Sequence, residues 1–103
     1  MADETILTLR MKKEWWNKVL SGEKTHEYRR SSVWKNLVLK KMKNAKNLNQ
    51  DFIIRFTLGY PSIINTEKIK YGLVKNVTFL SSGKDTDLKI DEPVIDIEFI
   101  LID

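Results

Sequence analysis

The chain has 103 residues, of which 42% are hydrophobic and 31% charged, and it carries a net charge of +4. This length and composition predict one soluble domain with a single modest core. Cysteine is absent, which excludes a disulfide framework, a thiolate zinc site and a cysteine nucleophile. No segment resembles a signal peptide or reaches the roughly 20 apolar residues of a membrane span. We therefore expect a cytoplasmic protein with no membrane association.

Positive charge is concentrated in one part of the chain. Residues 10–46 hold twelve Lys or Arg and three acids, a net charge of +9, whereas the other residues hold six and eleven, a net charge of −5. A basic segment of this density favours a polyanionic partner. The alternative is a solvated lysine-rich helix. All three tryptophans fall in the basic segment, which favours the polyanion.

The first predicted elements are a strand and a short helix. Polarity alternates from Thr5 to Met11, as in a half-buried strand. An amphipathic helix is predicted from about Lys12 to Ser21, although no convincing N-cap residue precedes it. Gly22 should end this helix, because glycine adopts the left-handed conformation of a helix end at little cost. The apolar stripe of the helix consists of Trp15, Trp16, Val19 and Leu20.

A second strand and a second helix follow. The period changes to two from Thr25 to Arg30, which predicts a strand. A helix is predicted over roughly 33–45, with Ser31 or Ser32 as its N-cap. The asparagine-rich segment 44–50 is expected to end the helix and form a loop.

Three further strands complete the predicted fold. They cover Phe52–Leu58, Ile69–Leu80 and Pro93–Ile102, and a turn at 59–62 follows the first of them. Gly72 is predicted to mark a β-bulge or bend in the long middle strand. This order of elements predicts a small α+β fold with a curved sheet or partial barrel.

Several kinds of site can be excluded. His26 is the only histidine, so His-based zinc sites and paired-histidine catalysis are not expected. Ser82-Gly83-Lys84-Asp85 lacks the upstream glycine of a P-loop. The acidic segment 85–92 lacks the glycine and the glutamate register of an EF-hand, and is interpreted as a solvated loop. We expect no metal and no cofactor.

A cation, an anion and a second cation lie close together at Lys24, Glu27 and Arg29. One interpretation is a surface ion pair between Glu27 and Arg29, worth at most about 1 kcal/mol. The other is a polar binding site. There Arg29 offers a planar fork for phosphate, Lys24 offers a point charge, and Glu27 accepts hydrogen bonds from an amine or a hydroxyl.

The pattern Gly22-x-Lys24-x-x-Glu27-x-Arg29, after a strand and an aromatic helix, resembles the G-x-K-x-x-E-x-R signature of ASCH domains. These are relatives of the PUA domains of RNA-binding and RNA-modifying proteins. Segments 34–37 and 56–60 are also similar to small bacterial and phage members. The resemblance is strong over residues 5–37 and weak beyond about 60. It implies a PUA-like β-barrel over residues 1–103 that binds RNA or a (modified) nucleoside or nucleotide. The implied ligand-binding residues are Lys24, Glu27, Arg29, Arg30, Arg10 and Tyr60.

The same resemblance leaves other functions open. Some similar members are amidohydrolases that deacetylate N4-acetylcytidine, and they have a threonine at the position of Glu27. This chain lacks that nucleophile, and Thr25 lies two positions away. If the chain is an enzyme of this kind or a ribonuclease, Lys24 and Glu27 are the expected catalytic residues. A third alternative is a protein-interaction module in the regulation of transcription or translation.

The tryptophans have two alternative roles. Trp15 and Trp16 are adjacent on a helix, so at most one of them can be centred on the core. Core packing is expected for Trp15 or Trp34, and an exposed tryptophan is a candidate for stacking on a base.

Overall fold

The computed structural model describes residues 3–59 and 66–102, which contain five strands and two α-helices. Two short 3-10 turns, Asp3–Thr5 and Thr66–Lys68, precede β1 and β4. No helix in these two ranges is long and apolar enough to cross a membrane. In chain order the elements are β1 (Ile6–Met11), α1 (Lys13–Leu20), β2 (His26–Arg30), α2 (Ser31–Leu48), β3 (Ile53–Leu58), β4 (Ile69–Leu80) and β5 (Val94–Leu101).

The strands form one curled, mixed sheet in the order β1-β3-β4-β5-β2. β1 and β3 are parallel, with Leu9 opposite Phe56. The other three pairs are antiparallel. β1 and β2 are therefore the two edges of a half-barrel. This architecture confirms the predicted α+β fold with a curved sheet and is consistent with a small PUA-like barrel.

The core lies on the concave side, where the predicted alternation of apolar residues turns one face of each strand inward. α1 adds Trp16 and Val19, and α2 adds Val38 and Ala45. The aromatic pair Phe56 and Phe99 lies at its centre, with ring centroids 4.8 Å apart. The strand residues of this hydrophobic cluster are Leu7, Leu9, Met11, Ile54, Phe56, Ile95, Ile97 and Phe99.

The core tryptophan is Trp16, which is 5% exposed, rather than Trp15 or Trp34. The latter two are partly buried and pack at the margin of the core. Leu20, predicted to lie in the apolar stripe of α1, is 41% exposed. Helical periodicity defined the apolar side of α1, but only the sheet beneath it decided which residue on that side points straight inward.

The second helix is longer than predicted at both ends. Ser31 and Ser32 are its first residues and not its cap, since Arg30 is the N-cap and makes no side-chain capping bond. The backbone N–H of Ser31 donates instead to the carbonyl of Pro93 at 3.0 Å. Asn44 lies within the helix, where its side-chain amide donates to the Glu4 carbonyl at 3.0 Å. This tertiary contact offsets the weak helix propensity of asparagine.

Asn49 ends α2 in the left-handed conformation, with φ of 54°. Asparagine tolerates this conformation better than other residues with a side chain. The prediction that the asparagine-rich segment ends the helix is therefore confirmed for Asn49.

Gly72 does not mark the predicted bulge. The register of β4 is continuous at Gly72, and the irregularity lies between Val74 and Asn76. Gly72 instead makes room for two core rings, because a Cβ atom there would lie 3.1 Å from a ring carbon of both Phe56 and Phe99.

We expect Gly72→Ala to lower the free energy of unfolding by about 1–3 kcal/mol, the usual cost of adding volume to a packed core. Elsewhere a glycine-to-alanine change stabilises the folded state by about 0.4–1 kcal/mol when the backbone permits it. Here Phe56 and Phe99 are 0% and 3% exposed and pack against each other, so neither ring can move away freely. Urea denaturation measures the change, with the exposed Thr78→Ala as the control on the same strand. An unchanged or raised stability would contradict this account of Gly72.

Candidate functional site

The turn between α1 and β2 positions Lys24. The hydroxyl of Ser21 donates to the carbonyl of Lys18 at 3.1 Å. Gly22 then takes a φ of 82°, as its place after the helix predicted. The backbone N–H of Lys24 donates to the same Lys18 carbonyl at 2.9 Å. Lys24 is thereby held against the last turn of α1, and its side chain is 8% exposed.

Glu27 lies between the two cations of the signature. Its Oε1 is 3.4 Å from the Nζ of Lys24. Its Oε2 accepts hydrogen bonds from the Nε and Nη2 of Arg29, at 2.9 and 2.6 Å. The side chain of Glu27 is only 7% exposed and that of Arg29 is 22% exposed. The predicted ion pair between Glu27 and Arg29 is therefore present, but it is not a surface pair, because Glu27 is buried and also shared with the buried Lys24.

Arg29 also joins the two edges of the half-barrel. Its Nη2 donates to the carbonyl of Arg10 on β1 at 3.3 Å and lies 3.7 Å from the sulfur of Met11. On α2, the ring of Trp34 has its centroid 5.3 Å from the guanidinium carbon of Arg29. One side chain of β2 thus contacts β1 and α2 together.

Asp87 completes the network from a distant part of the chain. It lies in the loop between β4 and β5, and its carboxylate forms an ion pair with the Nζ of Lys24, 63 residues away in sequence. Segment 85–92 is predicted to be a solvated loop, and Asp87 is indeed exposed, but its carboxylate also has a specific partner in Lys24. Nothing in the local sequence distinguishes Asp87 from the acids around it, because its partner comes from another element.

The loop that carries Asp87 is held by its own hydrogen bonds. Gly83 and Ile90 form a β-bridge across it. The hydroxyl of Thr86 donates to the Gly83 carbonyl at 2.7 Å and accepts from the backbone N–H of Leu88 at 3.2 Å. Asp87, between Thr86 and Leu88, is therefore presented to Lys24 from an ordered support.

Two adjoining cavities surround this network, and we refer to them together as the cleft. They have volumes of about 230 and 350 Å³ and share Trp15, Lys24, Tyr28 and Asp87. The Nζ of Lys24 lies 5.2 Å from the ring centroid of Trp15 and 5.3 Å from that of Tyr28. The smaller cavity is also lined by Lys18, Glu23, Thr25 and His26, and the larger one by Arg10, Met11, Lys12, Glu27, Arg29 and Leu88.

His26 and Tyr28 form one wall of the smaller cavity. The Nδ1 of His26 is 2.7 Å from the Oδ1 of Asp96. Because an ionised carboxylate only accepts, Nδ1 carries the proton of this bond. The rings of His26 and Tyr28 stack with centroids 6.2 Å apart. Burial raises the pKa of the Tyr28 hydroxyl, and the nearby charges of Asp96 and Asp87 raise this pKa further.

The other three predicted site residues differ in their position relative to the cleft. Arg10 lines the larger cavity and supplies the carbonyl that Arg29 contacts. Arg30 is exposed at the end of β2 and lines neither cavity. Tyr60 lies outside the described residues. The prediction that Lys24, Glu27 and Arg29 lie together is confirmed. It could be made from the sequence because these residues lie within six positions of one another.

Within residues 3–59 and 66–102, no group of three or more His, Cys, Asp or Glu side chains could hold a metal ion. The functional groups that line the cleft include ammonium, guanidinium and carboxylate groups, the imidazole of His26 and the hydroxyls of Thr25 and Tyr28.

No protein-family model and no curated protein matches this chain. Membership of the ASCH family therefore stays a prediction that depends on the signature residues.

We expect the two carboxylates that bind Lys24 to differ in their contribution to stability. Glu27→Gln should lower the free energy of unfolding by about 3 kcal/mol or more, because it leaves Lys24 and Arg29 without their shared buried partner. Asp87 is 37% exposed, so the matched change Asp87→Asn should cost no more than about 1 kcal/mol. Guanidinium denaturation of both variants measures the difference. Equal small losses would show that Glu27 does not support the fold.

We expect Asp87→Asn to lower the pKa of Tyr28, because one of the negative charges that raise this pKa is removed. The absorbance of the phenolate in a pH titration measures it, and Tyr28→Phe identifies the contribution of the other tyrosines. In the parent protein the pKa of Tyr28 is above its usual value of 10.0. The unfolded chain therefore loses this proton first, so the Tyr28 contribution should lower stability as pH rises from about 10. An unchanged Tyr28 titration in Asp87→Asn would show that the charge of Asp87 does not raise the pKa of Tyr28.

Proposed function

We propose that this chain is an ASCH-like domain that binds RNA or a nucleotide in the cleft. The observation that carries the proposal is the buried network of Lys24, Glu27 and Arg29 at the wall of a concave site. Burying charges is costly, and apolar residues of similar volume often stabilise a fold as well or better. Groups of this kind in a cleft are therefore candidates for ligand binding.

Lys24 is the proposed contact for a phosphate group. Its ammonium is bound by the half-exposed Asp87, and the charge-assisted bond to a carboxylate can be exchanged for one to a phosphate oxygen. A ligand phosphate thus replaces Asp87 on Lys24. Glu27 stays in place, because it is buried and its two oxygens are engaged by Lys24 and Arg29.

Trp15 is the proposed platform for the base. It is partly buried, lines both cavities and lies beside Lys24. Stacking on an aromatic ring tolerates every base and contributes about 1–3 kcal/mol. Tyr28, on the other side of Lys24, keeps a neutral hydroxyl at physiological pH, since its pKa is raised, and can donate a hydrogen bond to the ligand.

The contacts of Arg29 favour a role other than the phosphate fork expected from the sequence. Its Nε and Nη2 bind Glu27, and Nη2 also binds the Arg10 carbonyl. We therefore assign Arg29 mainly to holding Glu27 and the edge of β1, and Lys24 to the phosphate.

A hydrolase is the second candidate. The observation that favours it is the position of Lys24 between two carboxylates, Glu27 and Asp87, an arrangement that can transfer protons during hydrolysis. Thr25 lines the smaller cavity but is exposed. Turnover of the ligand distinguishes this candidate from a binding domain.

Calorimetric titration with the four ribonucleoside monophosphates and their parent nucleosides tests the proposal. Lys24→Met should weaken nucleotide binding about tenfold or more, the effect of losing one charge-assisted hydrogen bond. Asp87→Asn should strengthen nucleotide binding, because the competing carboxylate is gone. Neither change should alter nucleoside binding by a comparable factor.

Circular dichroism melts of both variants provide the control for folding. Chromatography of the ligand after incubation with the parent protein detects a product only if the chain is a hydrolase. Failure of every nucleotide to bind the folded parent protein would contradict the proposed function of the cleft.

A further inference from the structure

A basic groove of about 940 Å³ continues from the cleft across the outside of β1 and β3. It shares Arg10, Met11, Lys12 and Arg29 with the larger cavity of the cleft. The groove is therefore not a separate depression, and a ligand in the cleft that extends beyond one nucleotide would enter it.

The described charged side chains that line the groove are all cations, although Arg29 and Arg55 are paired with Glu27 and Asp3. The groove lining includes Arg10, Lys12, Lys13, Arg29 and Arg55, and the described part of the chain contributes no acidic residue to that lining. The protein as a whole has 14 acidic residues, so this separation of charge is local. Concentrated positive charge along a concave path raises the local concentration of a polyanion.

The sheet register explains how cations from two strands meet in the groove. Thr8 pairs with Arg55 and Arg10 pairs with Thr57 in the parallel ladder. Paired residues share a face, and the guanidinium of Arg55 indeed donates to the hydroxyl of Thr8 at 3.3 Å. Arg10 and Arg55 thus lie two residues apart along one face of the sheet.

The start of α1 lies at the groove, and its first turn also contains Glu14. Lys12 is the N-cap, it makes no capping hydrogen bond, and Lys13 is the first helical residue. Cations are unfavourable at this end of a helix, and its first N–H groups have no side-chain acceptor from the cap. Lys12, Lys13 and a helix start whose cap makes no hydrogen bond thus lie at the groove, where the N-terminal end of a helix favours an anion.

We propose that the groove binds the phosphate backbone of single-stranded nucleic acid, one nucleotide of which occupies the cleft. This inference rests on the proposed function and names the path of the polymer. A single strand fits because a base must be unstacked to lie against Trp15, as in single-strand recognition generally. Trp34, partly buried at the wall of the groove beside Arg29, offers a second aromatic surface. Arg55 exchanges its contact with the exposed Asp3, 3.3 Å away, for a phosphate.

Lys13→Glu and Lys43→Glu make a matched pair of variants for the test. Both residues are exposed and helical, and both substitutions change the net charge equally, but Lys43 lies on α2 outside the groove. An acid at the start of a helix is favourable, so Lys13→Glu should fold at least as well as the parent. A short single-stranded RNA and a ribonucleoside monophosphate are titrated against both variants by fluorescence anisotropy and calorimetry, at several salt concentrations.

We expect Lys13→Glu to weaken RNA binding about tenfold or more at low salt. The slope of log affinity against log salt should become shallower by about 0.7 for each phosphate that the variant no longer binds. Monophosphate binding should not change, and Lys43→Glu should weaken RNA binding by less than about twofold. Equal effects of the two variants would show that net charge alone attracts the RNA, and would overturn the proposal.

A further titration compares the RNA with an acidic peptide, polyglutamate. If the peptide bound as tightly as the RNA and its affinity fell in Lys13→Glu to the same extent, the groove would be a protein-docking surface and the proposal would fail. If RNA binding depended on Lys13 while no monophosphate bound, the groove would stand and the proposed function of the cleft would fail. If monophosphates bound and Lys13→Glu left RNA binding unchanged, the proposed function of the cleft would stand and the proposal for the groove would fail.

Discussion

The buried carboxylate of Glu27 holds the elements of this protein together. It has one oxygen toward Lys24 and the other toward Arg29, and without both cations its burial would be strongly unfavourable. Lys24 links it to the end of α1, and Arg29 links it to the edge strand β1 and to Trp34 of α2. The fold and the cleft therefore rely on the same few contacts.

The two edge strands of the half-barrel are joined by a side chain and do not pair through backbone hydrogen bonds. β1 and β2 are the edges of the sheet, and the guanidinium of Arg29 reaches across from one to the other. Paired strands would lie only about 4.8 Å apart and would fill this space. A side-chain bridge leaves it open, and both the larger cavity of the cleft and the groove lie beside Arg29. The concave surfaces of this protein thus follow from incomplete closure of the sheet.

The uneven charge along the chain becomes a different pattern in three dimensions. The lysines of the basic segment separate, since Lys12 and Lys13 join Arg10 and Arg55 at the groove while those of α2 lie on another element. From the acidic segment, Asp87 enters the cleft and binds Lys24. Counting charge by segment suggests an attraction to polyanions, but it does not say which cations act together.

The amino-acid sequence was sufficient to predict the elements and the local trio. Alternating polarity indicated the strands and their buried faces, because periodicity follows the side of an element that avoids water. Glycine at position 22 indicated the end of α1. Sequence spacing alone put Lys24, Glu27 and Arg29 near each other. Three features required the packed fold, namely that Asp87 meets Lys24, that Trp16 rather than Trp15 fills the core, and that Gly72 faces Phe56 and Phe99. Each of these depends on residues brought together from distant segments, and no local period carries information about such a partner.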